Sequence, residues 1–128
     1  MPWLELTSVT VLPAGTVLSA NGSLGPVQNR FYGGVLCFCN VTAVTGTSPD
    51  LDFEFHVYDP ASDLTALLGA NKASISVPGF YRLVLFPNAT ATSADLAINH
   101  PLPHWWQLFW TVKPACTFTL SLSYQYVV

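Results

Sequence analysis

The sequence predicts an all-β protein: a single antiparallel β-sandwich, jelly-roll-like, with about seven or eight strands and at most one short helix. Three observations predict it. Apolar and polar residues alternate with a period of two in several segments, most regularly over residues 117–126, as strands with one buried face require. Turns containing Gly, Pro and Asn separate these segments. The length of 128 residues suits a single domain over residues 1–128 with one core.

In the first half of the chain, β-branched and aromatic residues mark the strands. Segments of this kind lie at residues 3–12, 15–19, 27–32, 34–44 and 51–57. The first two are expected to pair around a turn at residues 13–15, and residues 1–12 could also serve as an N-terminal arm or edge strand. In the fourth segment, Val and Cys lie on one face and Leu36 and Phe38 on the other, so both faces are expected to be covered.

The second half of the chain continues with strands at residues 80–86, 105–112 and 117–126. Residues 80–86 are apolar nearly throughout, which is typical of a central strand. Residues 61–70, which precede these strands, form a helix candidate that Ser62 could cap and Gly69 could end. Residues 88–103 are expected to form a long exposed loop.

The chain is poor in charge. Asp, Glu, Lys and Arg make up 9% of its residues, against roughly 25% in ordinary soluble domains. The four cations are scattered, which disfavours nucleic-acid binding. No segment is long and apolar enough for a membrane span, and the N-terminus lacks the basic start of a signal peptide. Much of the surface must therefore be neutral or apolar, which favours a surface occupied by partners.

The sequence contains three cysteines, Cys37, Cys39 and Cys116, which we expect to be reduced thiols. Cys37 and Cys39 could form half of a zinc site that His100 or His104 would complete. Residues two apart on a strand are widely spaced for ligands of one metal, so we favour small buried hydrophobes instead. A disulfide between Cys116 and either of the others stays an alternative in an oxidising compartment.

Other candidate constellations do not predict a reaction or a cofactor. The chain has no Gly-x-Ser-x-Gly nucleophile motif and no Gly-rich phosphate loop, and a hydrolase is disfavoured. His56 lies on the polar face of its strand, where a solvent-facing or interface histidine is expected. Asp50, Asp52 and Glu54 alternate near a turn and could bind Ca²⁺ weakly, but we favour a solvated face because no Gly-centred ligand loop accompanies them. We therefore expect no enzyme, and no catalytic, cofactor or metal site.

The densest aromatic cluster is WWQLFW at residues 105–110. Neighbouring side chains on a strand point to opposite faces, so one of Trp105 and Trp106 should pack inside while the other meets a partner, a loop or a ligand. Trp is enriched at the hot spots of protein interfaces, and exposed Trp also serves sugar-binding modules. A protein interface is the favoured interpretation, and carbohydrate binding is the alternative.

Three segments carry a resemblance to a known group of proteins. They are VTAVTGTSPDLDFEFHVYD, GFYRLVLF and WWQLFWTVKPACTFTLSLSYQYV. Their strands, Pro-bearing turn and closing hairpin resemble small all-β virion proteins of tailed bacteriophages, over roughly residues 33–58 and 79–127. The resemblance implies a non-enzymatic capsid decoration (cement) or minor capsid protein that binds and stabilises the phage head.

The resemblance also implies partners. Such a protein binds the major capsid protein or another virion protein on the capsid surface, self-associates with a trimer favoured, and assembles in the host cytoplasm. The residues expected at the assembly interface are Trp3, Leu4, Leu6, His104, Trp105 and Trp106. Residues 1–12 could add a strand to a neighbour's sheet. An alternative is a tail-, neck- or fibre-associated adhesion or carbohydrate-binding module that uses an exposed Trp105 or Trp106.

Overall fold

The computed structural model describes residues 8–30, 32–69, 72–90 and 95–127. Within these ranges the chain forms ten strands and no helix. The strands are β1 (Val9–Leu18), β2 (Gly22–Gln28), β3 (Gly34–Thr45), β4 (Leu51–Asp59), β5 (Leu64–Leu67), β6 (Ala73–Ile75), β7 (Gly79–Phe86), β8 (Leu96–Asn99), β9 (Trp105–Val112) and β10 (Thr117–Val127). The all-β prediction is confirmed, with more strands than expected.

The strands form two sheets that pack together as a sandwich. Sheet I has the order β1-β10-β3-β7-β8, and sheet II has the order β2-β9-β4-β5, with β6 also paired to β4. Neighbouring strands are antiparallel, except that β8 runs parallel to β7. The sandwich is therefore antiparallel apart from this one pair, and each sheet keeps an outer face that points away from the other sheet.

The core lies between the two sheets and draws on both of them. Its largest fully buried side chains include Trp106, Phe53, Phe55, Phe118, Leu51, Leu83, Leu85, Leu108, Leu120 and Leu122. Along β10, buried residues alternate with half-buried ones, which confirms the period-two pattern of residues 117–126. Burying a leucine or phenylalanine side chain contributes about 1.5–3 kcal/mol relative to leaving it exposed, so this shared core holds the sheets face to face.

The N-terminal strand differs from its prediction. The expected hairpin around residues 13–15 is wrong, because β1 runs as one edge strand along β10, with register irregularities between Thr10 and Leu12 and between Leu12 and Thr16. Extra residues on one strand are accommodated as a bulge, and Gly15, with φ of 87°, suits such a site. Residues 1–7, the first part of the expected arm, lie outside the described residues.

The strand expected at residues 27–32 lies earlier in the chain, at β2. It ends at Gln28 because the next residue, Asn29, closes a turn. The Asn29 side-chain nitrogen donates to the Tyr32 carbonyl at 2.8 Å, and the Tyr32 amide donates to the Asn29 side-chain oxygen at 3.0 Å. Asn often offers the backbone such an alternative to a sheet ladder.

The helix expected at residues 61–70 is wrong. The Asp59 carboxylate accepts hydrogen bonds from the Ala61 amide at 3.1 Å and the Ser62 hydroxyl at 2.7 Å, and Asp63 has a φ of 59°. These features make a tight turn, after which β5 pairs antiparallel with β4. Two helical turns are only marginally stable by themselves, so pairing with an existing strand decides the outcome.

The long exposed loop expected at residues 88–103 is also wrong in part. Its middle forms β8, in which Leu96 and Ile98 are 3% and 5% exposed, and Leu102 is buried as well. Residues 91–94 lie outside the described residues. A four-residue strand with two apolar positions is too short for its periodicity to separate it from a loop. The three-residue β6 escapes prediction for the same reason.

Candidate functional site

The three cysteines lie in the core. Cys37 and Cys39 are 0% exposed on the inner face of β3, and Cys116 is 2% exposed; all three are free thiols. Burial raises the pKa of Cys37, and the neighbouring Cys39 raises it further. Burial also raises the pKa of Cys39 to about 12. The interpretation of Cys37 and Cys39 as small buried hydrophobes is confirmed.

These thiols should be unreactive while the protein is folded. The thiolate is the nucleophile, and burial disfavours it at Cys37 and Cys39. Because Cys116 is only 2% exposed to a reagent as well, we expect iodoacetamide to leave all three cysteines unmodified at mildly alkaline pH. After unfolding in guanidinium chloride, all three should be alkylated, as mass spectrometry of the intact chain would show. Labelling of the native protein at Cys37 or Cys39 at the rate of the unfolded chain would contradict this placement.

The histidines do not complete a zinc site with these cysteines. His100 and His104 are exposed, whereas the two thiols of β3 point into the core. Across the described ranges, no group of three or more His, Cys, Asp or Glu side chains is placed to hold a metal ion.

The described part of the chain also contains no helix long and apolar enough to cross a membrane.

Asp52, the second residue of β4, belongs to a hydrogen-bonded polar group. Asp52 accepts hydrogen bonds from the Lys72 ammonium at 2.9 Å and the Ser74 hydroxyl at 2.7 Å. Partial burial by itself would raise the pKa of Asp52, but these hydrogen bonds outweigh it and hold the pKa below its usual value. Lys72 and Ser74 therefore occupy both oxygens of the carboxylate that a Ca²⁺ site would have used.

The paired tryptophans separate as expected for neighbours on a strand. Trp106 is 0% exposed in the core, in contact with Phe55 and Tyr124 at ring-centroid distances of 6.5 and 5.3 Å. Its expected place at an assembly interface is wrong, because a fully buried ring offers no surface to a partner. Trp105 is half-buried on the outer face of sheet II, beside the exposed His104. Three other expected interface residues, Trp3, Leu4 and Leu6, lie outside the described residues.

Trp105 is the centre of a group on the outer face of sheet II that we call the Trp105 cluster. Its members are Trp105, Tyr58, His104, Gln28 and Arg30. The Trp105 ring meets the Tyr58 ring at 6.2 Å and the His104 ring at 6.0 Å, both edge to face. Gln28 lies opposite Trp105 in the pairing of β2 with β9. The cluster thus joins three segments: β2, β4 and the start of β9.

Hydrogen bonds tie the polar members of the Trp105 cluster together. The Gln28 amide nitrogen lies 3.1 Å from His104 Nε2, and the Arg30 guanidinium donates to Gln28 Oε1 at 3.1 Å. At the other edge, the Tyr58 hydroxyl donates to Asp63 Oδ1 at 2.8 Å. The aromatic centre is therefore flanked on two sides by groups that donate and accept hydrogen bonds.

Two polar side chains beside the cluster have unpaired atoms. His56 and Gln107 lie opposite each other in the pairing of β4 with β9. Gln107 is 6% exposed, and within the described structure its Oε1 atom and both ring nitrogens of His56 lack a hydrogen-bond partner. His56 Nε2 is 3.7 Å from a Glu54 oxygen. An unpaired buried polar atom costs about 1–3 kcal/mol of folding free energy. His56 and Gln107 therefore destabilise this part of the outer face of sheet II unless something bonds to their unpaired atoms.

The outer face of sheet I carries an apolar patch, which sequence reasoning did not identify as a surface. It consists of Leu36, Phe38, Phe80, Val84 and Phe86, of which Phe80 is exposed, Val84 is buried and the other three are half-buried. Phe38 and Phe80 stack with ring centroids 5.8 Å apart, and Phe80 is 62% exposed. A groove of about 320 Å³ runs along the patch, lined by Leu36, Phe38, Arg82, Val84, Phe86, Asn88 and Thr90.

A sequence signal for this patch existed. Leu36 and Phe38 alternate with core residues on β3, and β7 is apolar at both parities. Leu36 pairs with Val84, and Phe38 pairs with Arg82, which brings the outward residues of the two strands together. On the other side of β3, the outward residues of β10 are Ser121, Ser123 and Gln125. On its β10 side the patch is thus bordered by hydroxyl and amide groups, and the exposed Arg82 lies within it.

Comparisons of this chain with protein-family models, with curated proteins and with solved structures find no match.

Proposed function

We propose that the chain is a non-enzymatic structural protein of a virus particle, a capsid decoration (cement) or minor capsid protein of a tailed bacteriophage. The observation that carries the proposal is the apolar patch on sheet I. Contiguous exposed apolar surface marks interaction sites, and the centres of protein interfaces are depleted in charge and enriched in aromatic residues. The patch combines the stacked Phe38 and Phe80 with one cation, Arg82, which lies opposite Phe38 in the strand pairing, and arginine is itself enriched at interfaces.

The architecture suits binding to a protein lattice. The patch lies on paired strands rather than on loops, so its side chains are already ordered and lose little entropy on binding. The partner in this proposal is the major capsid protein or another virion protein at the capsid surface. A protein that binds the assembled shell but not its dissociated subunits stabilises the assembled state by mass action. Self-association, with a trimer favoured, would multiply the shallow contacts of each copy.

Shell binding can be tested with a matched pair of substitutions. Phe80→Asp places a charge on the exposed aromatic residue of the patch, whereas Leu64→Asp changes a similarly exposed apolar residue on β5 of sheet II; the exposures are 62% and 67%. Purified shells of the phage whose genome encodes the chain are sedimented with each variant. Phe80→Asp should weaken binding at least about tenfold, the change that about 1.4 kcal/mol produces. Leu64→Asp should bind as the wild type does.

Two results would contradict the proposal. The first is a wild-type chain that stays in the supernatant at every shell concentration. The second is a Phe80→Asp variant that sediments like the wild type, which would place the contact elsewhere. Circular dichroism of both variants controls for folding, because both sites are exposed and neither substitution removes a core side chain.

A second candidate function, an adhesion or carbohydrate-binding module associated with a tail, neck or fibre, is favoured by one observation. Trp105 lies half-buried on the outer face of sheet II with Gln28, His104 and Tyr58 around it. An aromatic ring with a few convergent polar groups is typical of small-ligand sites. This candidate uses the opposite face of the sandwich from the apolar patch.

A further inference from the structure

We propose that the Trp105 cluster binds a neutral saccharide. A pyranose ring would pack against Trp105, and the hydroxyl groups of the sugar would form hydrogen bonds with the flanking polar side chains. The inference deepens the second candidate function and is independent of shell binding. The two outer faces point in opposite directions, so a copy attached to a lattice through the apolar patch would present this cluster outward.

The aromatic part of the cluster fits the apolar face of a sugar. Trp105 is half-buried and packs edge to face with Tyr58 and His104, whose rings stand at 71° and 80° to it. Edge-to-face packing of this kind fixes the indole in place. A ring that is already ordered loses little conformational entropy when a ligand covers it. Trp105 is therefore a preformed flat surface rather than a mobile side chain.

The polar part of the cluster fits hydroxyl groups. A sugar hydroxyl both donates and accepts, and amide and imidazole side chains offer donors and acceptors in the same way. Gln28 and His104 provide this mixture at one edge, within 3.1 Å of each other. Tyr58 and Asp63 provide a second pair at the other edge. Sites that recognise small polar ligands combine such convergent groups with an apolar floor.

The charges of the cluster favour a neutral ligand. Arg30 lies at the Gln28 edge and Asp63 at the Tyr58 edge. Asp59 also acts on the Tyr58 hydroxyl, so carboxylates outnumber the single cation and the cluster has no net attraction for an anion. An acidic sugar would also meet Asp63, where like charges repel. Neutral hexoses and N-acetylated hexosamines are the class that this arrangement accommodates.

The unpaired atoms beside Trp105 are an independent observation that points to a ligand. Gln107 follows Trp105 by two residues on the same face of β9, and its Oε1 atom is buried without a partner among the described residues. A rotation of the Gln107 side chain would present this oxygen to a hydroxyl of a sugar on Trp105. The bond so formed would remove the penalty that an unpaired buried acceptor imposes.

The test is a titration of the purified chain with neutral and acidic oligosaccharides. The probes are cellohexaose, maltohexaose and chitohexaose, with a galacturonic acid hexamer as the anionic comparison, and binding is followed by calorimetry and by tryptophan fluorescence. We expect at least one neutral hexamer to bind. Trp105→Ala should weaken that binding at least about tenfold, Trp105→Phe should restore part of it, and Gln28→Ala should weaken it without removing it.

Phe80→Asp is the matched control, because it alters an exposed aromatic residue on the opposite face. It should leave saccharide binding unchanged, and Trp105→Ala should leave shell sedimentation unchanged. The proposal is overturned if no neutral hexamer binds, if only the acidic hexamer binds, or if Trp105→Ala binds as tightly as the wild type. Because the two variants separate the two faces, a failure of saccharide binding is distinct from a failure of shell binding.

Discussion

Replacing Trp106 with alanine is expected to lower the free energy of unfolding by about 3–5 kcal/mol, the usual cost of removing a large buried aromatic side chain. Trp106 is 0% exposed and lies between Phe55 of its own sheet and two tyrosines of β10, Tyr124 and Tyr126, at 5.3 and 6.4 Å. Its removal would leave a cavity at the junction of the two sheets. A loss of this size is a large fraction of the stability of an ordinary domain.

The measurement is urea unfolding followed by circular dichroism, with Trp105→Ala as the control. Trp105 is the neighbouring residue, of the same type, on the half-exposed outer face, so its loss should cost only about 1 kcal/mol. Trp106→Phe should fall between the two. It keeps an aromatic ring and removes an indole N–H that is buried without a partner within the described ranges. Equal costs for the two alanine variants would show that both tryptophans have the same environment.

Replacing Gly34 with alanine is expected to destabilise the fold by about 1–3 kcal/mol, as inserting a methyl group into a packed site does. A Cβ atom at Gly34 would lie 2.3 Å from the Cβ atom of Phe86 and 2.6 Å from the Leu85 carbonyl oxygen. Both neighbours belong to β7, and one is backbone, so the clash cannot be relieved by turning a side chain. The start of β3 would have to move away from β7, at the end where Leu36 and Val84 form the apolar patch.

Gly33→Ala is the matched control for this substitution. A Cβ atom at Gly33 would meet nothing within 4 Å among the described residues, and alanine keeps the backbone amide that donates to Val127. Thermal unfolding of the two variants should therefore differ, with Gly34→Ala unfolding at a clearly lower temperature. A Gly34→Ala variant as stable as Gly33→Ala would mean that β3 and β7 approach each other less closely here.

The sequence predicted part of the Trp105 cluster but not the apolar patch. The separation of Trp105 from Trp106 follows from the geometry of any strand, and so does the expectation that one of them meets a partner or a ligand. Gln28 and Tyr58 were not expected beside Trp105, because they come from strands distant in sequence and meet it only through strand pairing. The apolar patch was not predicted, for a different reason. Leu36 and Phe38 were expected to be covered, since apolar side chains on both parities of a strand are typical of a buried one.

Local patterns in the sequence are enough to predict the all-β class and the alternating strands β4, β9 and β10, because side-chain alternation is a local property of extended backbone. The burial of Cys37 and Cys39 was predicted from residue type instead, since a free cysteine behaves as a small hydrophobe. The tertiary structure alone decided that Trp106 rather than Trp105 is inside, that residues 64–67 extend a sheet instead of a helix, and that Leu96 and Ile98 enter the core. Alternation divides a strand into two faces, but which face is buried depends on where the other sheet packs. The buried face of a strand is therefore decided by the packing of the whole chain.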